Sequence, residues 1–140
     1  MSDVRADAFI DKNKSHMYEE LRIDKNSIFC NHTKTDIYIM SLTLGYYFKE
    51  SKEIPSGSKQ DLFVSTTLGS DSDEKIWIMK SIAIALEGIS VLKDLRKIFK
   101  ICDGYANAGI ERLYKIHKES DDESGELAMM MQDALDDMIL

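Results

Sequence analysis

The residue pattern with the clearest chemical potential is a short basic stripe in the second half of the chain. Four residues are spaced at i, i+3, i+4 and i+7, so one helix face would carry them all: Lys93, Arg96, Lys97 and Lys100. Such a ridge of positive charge suits the phosphates of a nucleic acid. The same spacing is also typical of a solvated face opposite Leu95, Ile98 and Cys102. The stripe therefore predicts a DNA contact, with the solvated face as the alternative.

The cysteines and histidines do not have the spacing of a metal site. A two-Cys, two-His zinc site would have to use Cys30, His32, Cys102 and His117, but the first two are closer than paired ligands usually are. On a continuous helix, Cys102 and His117 would lie roughly 22 Å apart along the axis, too far to share one ion. We expect no metal and no cofactor, with Cys102 as part of the core.

Common catalytic patterns are missing from the sequence. It contains no Walker loop, no glycine-rich turn between a strand and a helix, no HExxH and no GxSxG. A cysteine nucleophile would need a neighbouring histidine and a third group that orients it, and nothing in the spacing indicates this. We therefore expect a protein that is not an enzyme and has no catalytic residues.

Negative charge is concentrated at the end of the chain. Residues 1–118 contain 17 acidic and 18 basic residues, whereas residues 119–140 contain eight acidic residues and no basic one. Within this tail, apolar residues fall at helical spacing: Leu127, Met130, Met131, Leu135 and Met138. Methionine-rich faces adapt to different surfaces, so the tail helix is predicted to pack on its own protein, on a second copy or on a partner protein.

The elements that position these residues should be helices. One proline, seven glycines and 44% hydrophobic residues in 140 favour a single all-α domain of about four to five helices. We divide it into a helical domain at 1–118, which starts with a flexible lead-in, and an amphipathic acidic helix at 119–140. The longest apolar stretch is too short to span a membrane, and no leader is evident, so we expect a cytoplasmic protein.

The pattern of apolar residues and caps predicts where the helices lie. Thr33 and Asp36 have the spacing of a capping box that starts a strong helix. A helix near 73–86 is apolar around most of its circumference and should be central. The other predicted elements are a short helix near 15–21, an extended segment near 62–67 and a long helix at 91–117, with an interruption allowed at Asp103–Gly104.

Three strings of residues carry a resemblance to a known family. They are residues 34–46 (KTDIYIMSLTLGY), 74–83 (EKIWIMKSIA) and 105–111 (YANAGIE). Together they resemble the Dnd system-associated proteins, over about residues 28–118. These small proteins accompany DNA phosphorothioation genes, whose products replace a phosphate oxygen of DNA with sulphur. The resemblance implies an accessory or regulatory protein of a modification or restriction system, with DNA or proteins of that system as partners.

The last of these strings also has a physical interpretation. Its small residues would let another helix approach closely, and its amide side chain could form a hydrogen bond across the contact: Tyr105, Ala106, Asn107 and Gly109. We expect a packing motif with no catalytic role. The acidic tail lies outside the resemblance, so its role as an interaction or dimerisation helix is an alternative that the resemblance does not address.

Overall fold

The structure, a computed structural model, describes residues 6–64, 74–120 and 122–139. Within these residues the fold is mainly helical, as predicted, with five α-helices and one small sheet. In chain order the elements are β1 (Asp7–Asp11), α1 (Ser15–Ile23), α2 (Lys34–Phe48), β2 (Lys59–Val64), α3 (Glu74–Glu87), α4 (Leu95–Glu119) and α5 (Glu123–Ile139). None of the described helices is long and apolar enough to cross a membrane.

The antiparallel pair α2 and α4 forms the centre of the fold. The predicted capping box begins α2: the Thr33 side chain accepts a hydrogen bond from the Asp36 amide, and the Asp36 carboxylate accepts one from the Thr33 amide. Lys49, in the left-handed conformation, ends this helix. The fully buried apolar side chains between the two helices include Ile37, Leu42, Leu44, Ile98, Ile110 and Leu113.

Glycines set how closely α2 and α4 approach. A Cβ atom at Gly109 would overlap the backbone carbonyl of Ser41, and one at Gly45 would overlap the carbonyl of Tyr105. Ala106 is buried in the same contact. The close helix approach expected of the 105–109 string is therefore present, and its partner is α2.

The two strands correct the prediction of an unstructured lead-in. Residues Asp7–Asp11 pair antiparallel with Lys59–Val64, so the extended segment expected near 62–67 finds its partner at the start of the chain. Residues 65–67 lie outside the described residues. Ala6, Ala8 and Ile10 are buried at alternate positions. The prediction failed because a strand this short is stabilised by a partner some fifty residues away.

The helix α3 is less central than its composition suggested. Ile76, Met79, Ile82 and Ala83 are buried against the core, a single stripe at helical spacing. Trp77 is 48% exposed, with the Lys80 ammonium 5.2 Å from its ring centroid. Within the part of the chain that the structure describes, the prediction of cover on several sides was therefore wrong, because the other elements pack on only one face of this helix.

The long helix α4 starts later than predicted and runs without interruption through Asp103 and Gly104. A Cβ atom at Gly104 would lie 2.5 Å from the hydroxyl oxygen of Ser51, an exposed side chain on the loop after α2 that could rotate away. The Gly104 carbonyl also accepts a hydrogen bond from the Lys52 amide. This glycine therefore admits the loop after α2 and does not end the helix.

Candidate nucleic-acid interface

The basic stripe is divided between two elements. Asp94 caps α4 by accepting a hydrogen bond from the Lys97 amide at 3.1 Å, and its own backbone is not helical. Arg96, Lys97 and Lys100 are exposed on the first two turns of α4, whereas Lys93 lies on the preceding 3-10 turn at Ile89–Lys93. The expectation that one helix carries all four residues is thus wrong for Lys93, because the acid that follows it caps the helix.

Lys59 joins the basic residues of α4 from a different part of the chain. It lies at the start of β2, and it lines two adjoining depressions together with Lys100 and Asp103. The first depression, of about 370 Å³, is also lined by Arg96. The second, of about 380 Å³, is also lined by Lys97. Sequence spacing did not reveal Lys59, because its position beside α4 depends on the pairing of β2 with β1.

One carboxylate lies beneath this basic surface and borders both depressions. Asp103 is 8% exposed, and its Oδ1 accepts a 2.7 Å hydrogen bond from the Tyr38 hydroxyl and a 3.2 Å bond from the Phe9 amide. Among the described residues, none donates a hydrogen bond to Oδ2. Asp103 thus ties α4 to α2 and β1 through one oxygen and leaves the other available.

Burial makes Asp103 an unusual acid. Desolvation raises the pKa of Asp103 to about 7, while the hydrogen bonds from Tyr38 and the Phe9 amide, and the charge of Lys59, act in the opposite direction. A carboxyl group that gains and loses its proton near neutral pH can either donate or accept a hydrogen bond. A strongly shifted acid beside a depression is the kind of group found at functional sites.

The sequence carried a weak signal for this buried acid. On a helix Asp103 follows Phe99 by four residues and precedes Ala106 by three, so it interrupts an apolar stripe. The prediction of a helix interruption at Asp103–Gly104 did not use this feature, a single acid within an apolar stripe.

Other predicted residues serve packing in this region. Asn107 is nearly buried, and its side-chain amide donates a 3.0 Å hydrogen bond to the Lys52 carbonyl, on the loop that follows α2. Lys14 donates a 2.8 Å bond to the Asn107 carbonyl and forms an ion pair with Glu111 at 2.6 Å. The predicted partner of the Asn107 side chain was the facing helix, and the bond instead reaches the loop that follows α2.

A second polar cluster, at the far end of α4, was not anticipated. His117 Nε2 lies 2.9 Å from Asp24, and Nδ1 lies 2.9 Å from Glu123 at the start of α5. Burial alone would lower the pKa of His117, but the hydrogen bonds to the two carboxylates outweigh it and raise that pKa. With both ring nitrogens bonded to acids, His117 is best described as an imidazolium that joins α1, α4 and α5.

The acidic helix α5 uses part of its apolar face on its own protein. Leu127 is buried, and Met130 packs partly against the core. Met129 is 70% exposed. The side chains of Met131, Leu135 and Met138 lie outside the described residues. The tail is thus attached to the body by its first turns, in agreement with packing on its own core, and its use by a partner stays a prediction.

Fold and site together define a class: a small, mainly helical protein with a basic surface that surrounds a buried acid. The family model for DNA sulphur modification system-associated protein 4 matches residues 9–138, and the chain belongs to this family. The match also covers the last three residues of β1 and most of α5, so the resemblance over 28–118 was correct but too short. No match was found among curated proteins or solved structures.

Proposed function

We propose that this protein is a non-enzymatic accessory component of a DNA sulphur modification system that contacts DNA phosphates through its basic surface. The surface is formed by Lys59, Arg96, Lys97 and Lys100. The observation that carries the proposal is that cations from β2 and from α4 line the same two depressions. The family supplies the DNA-modification setting.

The overall charge of the protein is compatible with this role. The net charge is −7, but all of the excess negative charge comes from residues 119–140. Lys97 pairs with Glu87 at 3.0 Å, so part of its charge is balanced, whereas Lys59 and Lys100 have no ion pair to a described residue. A local positive surface on an acidic protein can still attract a polyanion at low salt.

Two groups suited to nucleophilic or acid–base chemistry, Cys102 and His117, are buried or bonded to acids, which supports a non-enzymatic role. Cys102 is fully buried, and burial raises the pKa of its thiol, so its reactive thiolate form is disfavoured. His117 has both nitrogens bonded to carboxylates. A protein that binds DNA beside the enzymes of a modification system needs neither group to be reactive.

Duplex binding at low salt tests the proposal. The triple variant Lys59→Gln, Arg96→Gln and Lys100→Gln should bind at least about tenfold more weakly, and the slope of log K against log salt should fall by roughly 2 to 3. The matched control is Lys12→Gln, Lys25→Gln and Lys115→Gln, which removes the same charge from exposed residues elsewhere. Equal losses in the two triples, or no duplex binding by the unmodified protein, would contradict the proposal.

A second candidate function is a protein-interaction or dimerisation module that uses α5. It is favoured by the exposure of Met129 on a helix that carries five acidic residues and no basic one. Truncation after Lys118 would also remove Glu123 and the buried Leu127, so a point variant is the cleaner test. Met129→Glu should reduce the native mass of a dimer, or abolish capture of a system protein, without lowering the melting temperature.

A further inference from the structure

Burying Asp103 as a carboxylate costs free energy of folding, and the hydrogen bonds that it accepts do not require a carboxyl group. Its Oδ1 accepts hydrogen bonds from Tyr38 and from the Phe9 amide, and an asparagine side-chain oxygen would accept both equally well. Asparagine would also avoid the desolvation penalty of a buried carboxylate. The second oxygen, which receives no hydrogen bond from the described residues, is the atom that an asparagine would change. The residues around Oδ2 therefore indicate the role of the carboxyl group.

The depressions beside Asp103 are lined by more cations than acids. Lys59 and Lys100 line both depressions, Arg96 lines the first and Lys97 the second, whereas one acid besides Asp103 borders each, Asp7 the first and Glu53 the second. A divalent metal would be repelled by these ammonium groups, and so would a basic peptide side chain. A tetrahedral oxyanion would be attracted by them and could accept a hydrogen bond from a neutral carboxyl group. The site thus has the chemistry of a phosphate site with a proton donor at its base.

We propose that the Asp103 depressions bind one phosphate group of the DNA, with Lys59 and Lys100 contacting its charge and the neutral Asp103 carboxyl group donating a hydrogen bond to it from Oδ2. This inference rests on the proposed DNA contact and deepens it. The phosphate is either an internal diester or a terminal monoester, since both present negatively charged non-bridging oxygens that accept hydrogen bonds. Binding is therefore coupled to protonation: an ionised Asp103 would repel the phosphate, so binding takes up a proton when the solution is above neutral pH.

Several charged or titratable groups face Asp103 from the elements around it. From other elements they are Tyr18 of α1, Tyr38 of α2, Asp7 of β1, Lys59 of β2 and Glu53 of the loop after α2. From α4 itself they are Arg96, Lys97, Lys100 and Cys102. Burial raises the pKa of both tyrosines and of the Cys102 thiol, so these three groups keep their protons between pH 6 and 8. Burial raises the pKa of Asp103 to about 7, so Asp103 changes charge in that window.

The direct test measures the binding of a short duplex without terminal phosphates, because diesters do not themselves titrate near neutral pH. Affinity should fall by up to about tenfold per pH unit above pH 7. Calorimetry in buffers of different ionisation enthalpy should show close to one proton taken up at pH 8. Asp103→Asn keeps a hydrogen-bond donor at every pH, so its affinity should be independent of pH and at least equal to that of the unmodified protein.

Two further probes separate the possible outcomes. A 5′-phosphorylated duplex that alone shows the pH dependence would assign the site to a terminal phosphate, whereas equal behaviour of the phosphorylated and unphosphorylated duplexes would assign it to a diester. This inference would be overturned by DNA binding without proton uptake and by equal pH dependence of Asp103→Asn and the unmodified protein. The proposed function would still stand in that case. If inorganic sulphate protects the protein against thermal unfolding more strongly at pH 6 than at pH 8 while no DNA binds, the site stands and the proposed function fails.

Discussion

The Tyr38 hydroxyl donates a 2.7 Å hydrogen bond to Oδ1 of Asp103, and both residues are buried where α2, α4 and β1 meet. This pair links the three elements that the site depends on. Burial also raises the pKa of Tyr38 well above its ordinary value, and the adjacent Asp103 carboxylate adds to the shift, so the phenol keeps its proton and stays a donor. The acid is therefore the partner whose charge responds to pH.

The stability of the protein should depend on pH through Asp103. Its pKa is raised by burial from 3.8 in the unfolded chain to about 7, so the folded state holds the proton more tightly. The stabilisation that comes from this tighter proton binding is fully present below pH 4 and is lost as pH rises through 7. By linkage the free energy of unfolding falls by up to about 4 kcal/mol over this range. Asp103→Asn should remove this loss. Urea unfolding at pH 5 and pH 8 checks it, and a variant as pH-dependent as the unmodified protein would contradict it.

His117 should also stabilise the attachment of α5 more at low pH than at high pH. The hydrogen bonds to Glu123 and Asp24 raise its pKa above 6.5 despite the opposing effect of burial, so its contribution is present below that pH and is lost as pH rises through the raised value. His117→Gln should therefore destabilise the protein at pH 6 more than at pH 9. Hydrogen exchange of the first turns of α5 should accelerate most at the lower pH. The exposed His32→Gln is the control, for which no such change in α5 is expected.

Gly109 should tolerate no side chain. An added methyl group would overlap the Ser41 carbonyl, a backbone atom that can move only if α2 and α4 separate. Gly109→Ala should therefore lower the free energy of unfolding by at least about 2 kcal/mol, as overpacking of a core does. Gly57→Ala, where the added atom would meet open space, should change stability little. Thermal melts of the two variants make the comparison, and similar melting temperatures would argue against so close a contact.

The Thr33 cap should contribute to the stability of α2. Its side chain accepts a hydrogen bond from the Asp36 amide at 3.1 Å, and Thr33→Ala leaves that amide without it. The expected loss is about 1 kcal/mol, and Thr33→Ser should restore most of it because serine supplies the same oxygen. Chemical denaturation of the three proteins measures the difference. An alanine variant as stable as the serine variant would show that the cap does not stabilise the helix.

The sequence by itself determined the helices and the family. The capping box at Thr33, the apolar periodicity of α2 and α4, and the family strings are all local features, because a helix satisfies its backbone hydrogen bonds within its own segment. The sequence alone also shows that residues 1–118 are nearly neutral and that the tail is acidic. The start of α4 after Lys93 is also set by a local feature, since Asp94 is a good capping residue.

Tertiary structure alone decided the strands and the site. Residues 7–11 and 59–64 become strands only by pairing with each other, and this pairing brings Lys59 beside Lys100. Asp103 acquires its raised pKa from burial against segments distant in the chain, and His117 gains its two acids from α1 and α5. No local pattern specifies such neighbours, because hydrogen bonds, charge and desolvation between distant segments depend on how the whole chain packs.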